Sequence, residues 1–165
     1  MPHRSLFVVL AILAHKPQSG LVQEVQWPIH TLCNMDKLQI AYRSCDHSQD
    51  IGISIDLCPA TLSPLKINVN LRVSLLLRQS TDELYLSAKL ILEGGVAFQL
   101  DEPLCQPDFP RFTFCSRKKG ELIVFDTPLK LDKLKYLPEH LNVHTVIVNQ
   151  NGYHIACFNI TIIKR

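Results

Sequence analysis

Residues 66–78 read Lys-Ile-Asn-Val-Asn-Leu-Arg-Val-Ser-Leu-Leu-Leu-Arg, and no other stretch limits the fold as strongly. Ile67, Val69, Leu71, Val73, Leu75 and Leu77 are apolar, and every residue between them is polar except Leu76. Side chains of a β-strand point alternately to opposite faces, so a period of two over this length means a strand with one dry face and one wet face. A second strand is expected over 84–92, with Leu84, Leu86, Ala88, Leu90 and Leu92 on one side. Further strand candidates are 37–44, 51–57, 110–115, 121–125, 141–149 and 153–163. No helical pattern of useful length stands out, and there is no internal repeat, low-complexity tract or linker. Short strands separated by turn-forming residues indicate an all-β sandwich.

The chain has 165 residues, enough for one domain once any leader is removed. It is 47% hydrophobic and 19% charged, so it can build a core. Residues 1–20 contain Arg4 and Lys16 and no acid; the remainder holds 15 basic residues against 15 acidic. A near-neutral domain is a poor match for nucleic acid, whose binding requires a basic surface to neutralise phosphates. Any electrostatic site must be a local patch.

The N-terminus has the layout of a secretory signal peptide. Arg4 supplies the positive start, Leu6–Ala14 is an apolar run of nine residues, and Pro17, Ser19 and Gly20 end it. A membrane-spanning helix requires about 20 apolar residues, so this run is too short to be one. The competing reading is a buried strand at the start of a cytosolic domain. The expected division is residues 1–20 as leader and 21–165 as one secreted domain.

Six cysteines, Cys33, Cys45, Cys58, Cys105, Cys115 and Cys157, agree with an oxidising compartment. Three disulfides are expected, although six cysteines allow 15 pairings. No spacing is Cys-x-x-Cys, which argues against a zinc site or a thioredoxin-like centre. Cys105 and Cys115 flank a short loop containing Pro107 and Pro110, and a bridge across it is the strongest local expectation. Asn159-Ile160-Thr161 is a glycosylation sequon, which becomes modified only in the secretory pathway and only if Asn159 is exposed.

Catalytic chemistry finds no support. His140 and His144 stand four apart, but in a strand they lie roughly 13 Å apart, too far to share one ion. No serine occupies a Gly-x-Ser-x-Gly elbow, and the pairs Asp46/Asp50 and Asp101/Glu102 read as surface or turn residues. No metal, cofactor or enzymatic activity is expected. The segment Cys115-Ser116-Arg117-Lys118-Lys119-Gly120-Glu121 admits two readings. One is a solvated hairpin turn in which Gly120 supplies the permissive backbone. The other is a cationic rim beside an apolar pocket.

The cysteine frame and its neighbours resemble the ML lipid-recognition family, in its myeloid differentiation type. The motifs are Trp27-Pro28 before Cys33, Tyr42-Arg43-Ser44-Cys45-Asp46, Gln49-Asp50 before Cys58, and Glu83-Leu84-Tyr85-Leu86. They continue in Pro103-Leu104-Cys105, Pro110-Arg111-Phe112-Thr113-Phe114-Cys115, Arg117-Lys118-Lys119-Gly120-Glu121 and Cys157-Phe158-Asn159-Ile160-Thr161. The match runs from about Trp27 to Ile163; residues 93–102 stay unmatched.

The resemblance implies an immunoglobulin-like two-sheet sandwich opened into a β-cup, whose apolar cavity holds lipid. It implies the pairings Cys33–Cys58, Cys45–Cys157 and Cys105–Cys115. The implied function is a secreted, non-enzymatic accessory protein. It would hold lipid or phospholipid and bind the leucine-rich-repeat ectodomain of a Toll-family receptor of the radioprotective B-cell type. Such a protein modulates innate responses to endotoxin and is held at the cell surface through its receptor. A free lipid-transfer protein of the same family is the alternative. The cavity wall is then expected from Ile40, Ile53, Ile55, Val69, Leu71, Val73, Leu86, Ala88, Leu90, Phe112 and Phe114. In the family the 128–136 segment lies at the mouth, which adds Leu129, Leu131 and Leu134 to the lining. The cationic rim would comprise Arg117, Lys118 and Lys119 with Lys130, Lys133 and Lys135. The competing reading of 128–136 is an amphipathic edge strand whose lysines discourage edge pairing.

Overall fold

The computed structural model describes residues 26–59, 68–109, 112–130 and 138–165. Nine strands follow in order: β1 (His30–Met35), β2 (Leu38–Ser44), β3 (Gly52–Ile55), β4 (Asn68–Leu76), β5 (Leu84–Leu92), β6 (Gly95–Cys105), β7 (Leu122–Lys130), β8 (His140–Asn149) and β9 (His154–Lys164). They form two antiparallel sheets, a six-stranded one of order β1-β2-β9-β8-β5-β6 and a three-stranded one of order β3-β4-β7. There is no helix among the described residues, hence none long and apolar enough to cross a membrane.

The alternation in β4 becomes burial. Val69, Leu71, Val73 and Leu75 are buried against the opposite sheet, while Asn70, Arg72 and Ser74 are not. Leu76, the one break in the pattern, stays on the wet face and pairs across to Leu122, which is also exposed. The strands expected at 37–44, 51–57, 84–92, 121–125, 141–149 and 153–163 all form, with ends displaced by a few residues. Of the strand expected over 110–115, residues 110 and 111 lie outside the described residues and 112–115 form no strand. Residues 112–116 make a bend and turn; Cys115 N–H closes on the Phe112 carbonyl at 3.1 Å, and Ser116 has φ 58°. Two aromatics two apart were too short a sample of period two.

β1 and β6 are additional. β6 follows β5 through Glu93-Gly94, both at positive φ (49° and 80°), the geometry of a two-residue hairpin whose twist matches the strands. Its strand is exposed on both faces for most of its length, so it carries no alternation.

Three cystines tie the frame: Cys33–Cys58, Cys45–Cys157 and Cys105–Cys115. They are the pairs that the family resemblance implies. Tyr42 bridges the sheets from β2. Its hydroxyl donates to the Ile51 carbonyl at 2.9 Å and accepts from Ile53 N–H at 3.1 Å. Its hydroxyl pKa is raised, chiefly by burial.

Candidate functional site

The interior between the sheets is tight on one side and open on the other. At the β2–β9 side, Leu38, Ile40, Ile160 and Ile162 are at most 1% exposed. Across the sheet the same inner face reaches β5, where Leu86, Ala88, Leu90 and Leu92 are only half-buried. β1 and β3 make the close cross-sheet approach, and among the described residues the three-stranded sheet makes no such approach to β5 or β6. The sheets therefore splay into a cup. No charged side chain stands on the inner face of β4, β5, β7 or β8.

A half-buried leucine row facing an opening leaves apolar surface in contact with water. Burial of such surface is worth about 25 cal/mol per Å2, or ~0.8 kcal/mol per methylene of a chain that enters. The arrangement can sequester a long apolar molecule without any covalent step.

The structure gathers most of the expected wall residues. Ile40, Ile53, Val69, Leu71 and Val73 are buried, and Ile55, Leu86, Leu90 and Leu129 pack half-buried against the core with Ala88 beside them. Phe114 is buried and its ring lies 4.6 Å from that of Phe125 on the inner face of β7. Phe112 is 37% exposed and stacks on Phe114 at 5.0 Å, at a point where the chain turns instead of continuing as a strand. Sequence reasoning also passed over Phe125, Leu92 and Ile147, whose inward parity in strands 122–130, 84–92 and 140–149 is the signal that finds them.

The residues expected to form the cationic rim fall into two groups along the chain. Arg117, Lys118 and Lys119 precede β7, whereas Lys130 ends it, about 26 Å away along the strand. Arg117 is paired with Glu121 at 3.2 Å, and Lys118 N–H donates to the same carboxylate at 2.9 Å. That backbone bond, with the Arg117 charge, holds the Glu121 pKa below its ordinary value. The segment is thus a Glu-capped turn with Gly120 at φ 91°, and Lys118 and Lys119 remain exposed on it. Leu131, Lys133, Leu134 and Lys135 lie outside the described residues.

Among the described residues, one set of potential metal ligands comes together, Cys45, His144 and Cys157. Its two sulfurs are bonded to each other, which leaves only the imidazole to offer an ion.

Comparison with known proteins resolves the frame. No family model matches the chain. Mouse (Mus musculus) lymphocyte antigen 86 is 35% identical over 151 residues, which is 92% of this chain and 91% of the mouse protein. The chain belongs to the lymphocyte antigen 86 family. The human (Homo sapiens) lymphocyte antigen 86 is 32% identical over 136 residues, 82% of each chain. A crystal structure of chicken MD-1 complexed with lipid IVa superposes with a TM-score of 0.71 at 33% identity, covering 84% of this chain and 98% of that one. The ML-family resemblance and the cup architecture are both borne out.

Proposed function

We propose that this chain is a secreted, non-enzymatic accessory protein that holds lipid between its two sheets and binds a Toll-family leucine-rich-repeat receptor. In that role it modulates innate responses to endotoxin from the cell surface. The observation that carries the lipid reading is the half-buried apolar row on β5, facing an interior whose other wall is wholly apolar on β4. The lipid IVa held by chicken MD-1 supports a phospholipid-like or glycolipid ligand. Receptor binding rests on family membership.

Residues 1–20 serve as the signal peptide, and Asn159 carries an N-linked glycan. Three cystines support passage through an oxidising compartment. Asn159 sits on the outer face of β9, turned away from the core.

Native mass spectrometry of the protein secreted from animal cells tests the lipid reading, with solvent extraction of whatever it carries. The expected result is a bound species that disappears on extraction and is identified as lipid. A secreted, folded chain with no adduct, and no uptake of added lipid IVa, would overturn it. Co-precipitation with a Toll-family ectodomain tests the receptor separately.

A further inference from the structure

The outer face of the six-stranded sheet carries a groove of about 460 Å3 that is distinct from the interior. Its volume falls within the roughly 300–1,000 Å3 typical of small-molecule sites. Ala41, Ile91 and Ile163 give it an apolar floor, and Gln39, Arg43 and Asn142 stand around them. Asn159, the residue of the chain's one sequon, is part of the same lining.

The three amides share one arrangement. Arg165 Nη2 donates to the oxygen of Gln39 at 2.7 Å, and Thr161 Oγ1 donates to that of Asn142 at 2.8 Å. The oxygen of Asn159 is taken by His144 Nδ1 at 2.7 Å. Each carbonyl end is therefore occupied by a protein group. The three NH2 ends make no hydrogen bond among the described residues. Arg43 adds to them: Nη1 reaches Gln26 Oε1 at 3.2 Å, but Nε is buried without a partner. An unsatisfied buried donor is costly, which favours any acceptor that draws the guanidinium toward it. The groove presents donors over an apolar floor, so it suits an uncharged ligand rich in oxygen acceptors with one apolar face.

We propose that this groove seats the first N-acetylglucosamine of a glycan attached to Asn159. The inference rests on the secretion and glycosylation proposed above. Nδ2 is the atom that carries the sugar, and the bond to His144 fixes the amide so that Nδ2 is free of protein partners. Asn159 lies directly opposite Arg43 on β2 and opposite His144 on β8. A sugar bonded there is tethered within reach of Arg43. Its ring and acetyl methyl cover Ala41, Ile91 and Ile163, and its acetamido and hydroxyl oxygens accept from Arg43, Gln39 and Asn142. The sugar then acts as part of the sheet's outer face and removes apolar surface from water.

The test uses the secreted full-length protein with high-mannose glycans, trimmed by an endoglycosidase that leaves one N-acetylglucosamine, carbon-13 labelled in its acetyl methyl. Intact-mass analysis first establishes whether Asn159 carries the sugar. The expected NMR result is Overhauser cross-peaks from the acetyl methyl to the methyls of Ile91 or Ile163, with sugar lines as broad as those of the sheet. Narrow sugar lines and no cross-peaks in a sample that carries the sugar would overturn the seating. An unmodified Asn159 in the secreted protein would instead overturn the glycosylation on which the seating depends.

Discussion

The hydroxyl of Thr81 donates to the main-chain carbonyl of Phe114 at 2.9 Å, and so the turn between β4 and β5 holds the connection that carries the aromatic cluster. Thr81 is fully buried, and the clamp is multiple. Its N–H donates to the Arg117 carbonyl at 3.0 Å, its carbonyl accepts from Ser116 N–H at 2.9 Å, and its Oγ1 accepts from Arg117 N–H at 3.1 Å. Thr81→Val keeps the side-chain shape but strands the Phe114 carbonyl and the Arg117 N–H. Leaving buried partners unsatisfied typically costs about 1–3 kcal/mol. Urea unfolding should show that loss, and lipid retention should fall with it because Phe114 is no longer fixed against Phe125. An unchanged midpoint would mean that water replaces the hydroxyl.

Val73 is 2% exposed at the centre of β4, facing the cup between Ile53 and Phe125 across its two neighbouring strands. A carboxylate placed there has no partner in an apolar interior, so Val73→Asp should abolish lipid retention. Val73→Ala is the companion variant, expected to fold with a loss of roughly 1–3 kcal/mol for the missing methyls. A folded Val73→Asp protein that retains lipid normally would place Val73 outside the occupied space.

Asp50 links β1, β2 and the loop before β3. It accepts from Ser44 Oγ and contacts His30 Nε2 at 2.9 Å, while His30 stacks on Tyr42 at 4.7 Å. Burial alone raises the Asp50 pKa, but the hydrogen bonds from Ser44 and His30, the His30 charge and the Ile51 N–H outweigh it and leave it below the ordinary carboxylate value. The folded state thus favours the ionised form. The stability this supplies is fully present above the unfolded pKa of about 4 and is lost as pH falls through the lower folded value. Wild type should lose stability on acidification below about pH 4 more steeply than Asp50→Asn, which starts lower and changes less. Parallel profiles for the two proteins would show that Asp50 is not a source of acid sensitivity.

Much of the frame was legible because burial on one face leaves a trace with period two. β4 and β5 carry that trace openly. β6 does not, since Val96 and Phe98 are both exposed and neither face of the strand is dry along its length. The turn signal Glu93-Gly94-Gly95 between two strand-like runs was the available clue. Phe112 and Phe114 misled in the other direction: they alternate, but the chain turns at them. The cavity itself could not be read from alternation, because a tight core and an open cup require the same apolar residues at Val69–Leu75 and Leu86–Leu92. What separates them is how many strands face β5 and β6, a property of topology.

The split of the cationic residues yields a paired experiment. Lys118→Ala with Lys119→Ala removes exposed charge before β7, and a separate variant changes Lys130, Lys133 and Lys135 together to Ala. If the second group meets lipid head groups, only the triple variant should weaken binding of an anionic lipid, more at low salt, where exposed charges are less screened. A neutral lipid with the same chains should bind both variants as it binds wild type. Equal losses for the anionic and neutral lipids would indicate altered structure instead of lost head-group contacts.

Two cystines should separate stability from ligand retention. Cys45–Cys157 joins residues 112 apart, whereas Cys105–Cys115 joins residues 10 apart. In the chain-entropy account, closing the longer loop stabilises by about 4.8 kcal/mol and the shorter by about 2.7 kcal/mol. Changing both members of the first pair to Ala should therefore cost more stability in denaturant unfolding, and it also puts at risk the backbone bond from Cys45 N–H to the Cys157 carbonyl at 2.9 Å. The second pair ties the end of β6 to Cys115, the residue after Phe114 in the turn that presents Phe114 to Phe125. Its removal should leave a more stable protein than removal of the first pair, yet one that carries less lipid per folded molecule after purification. If the Cys105/Cys115 variant keeps its full lipid content, the aromatic cluster does not depend on that bridge, and the clamp from Thr81 alone holds it in place.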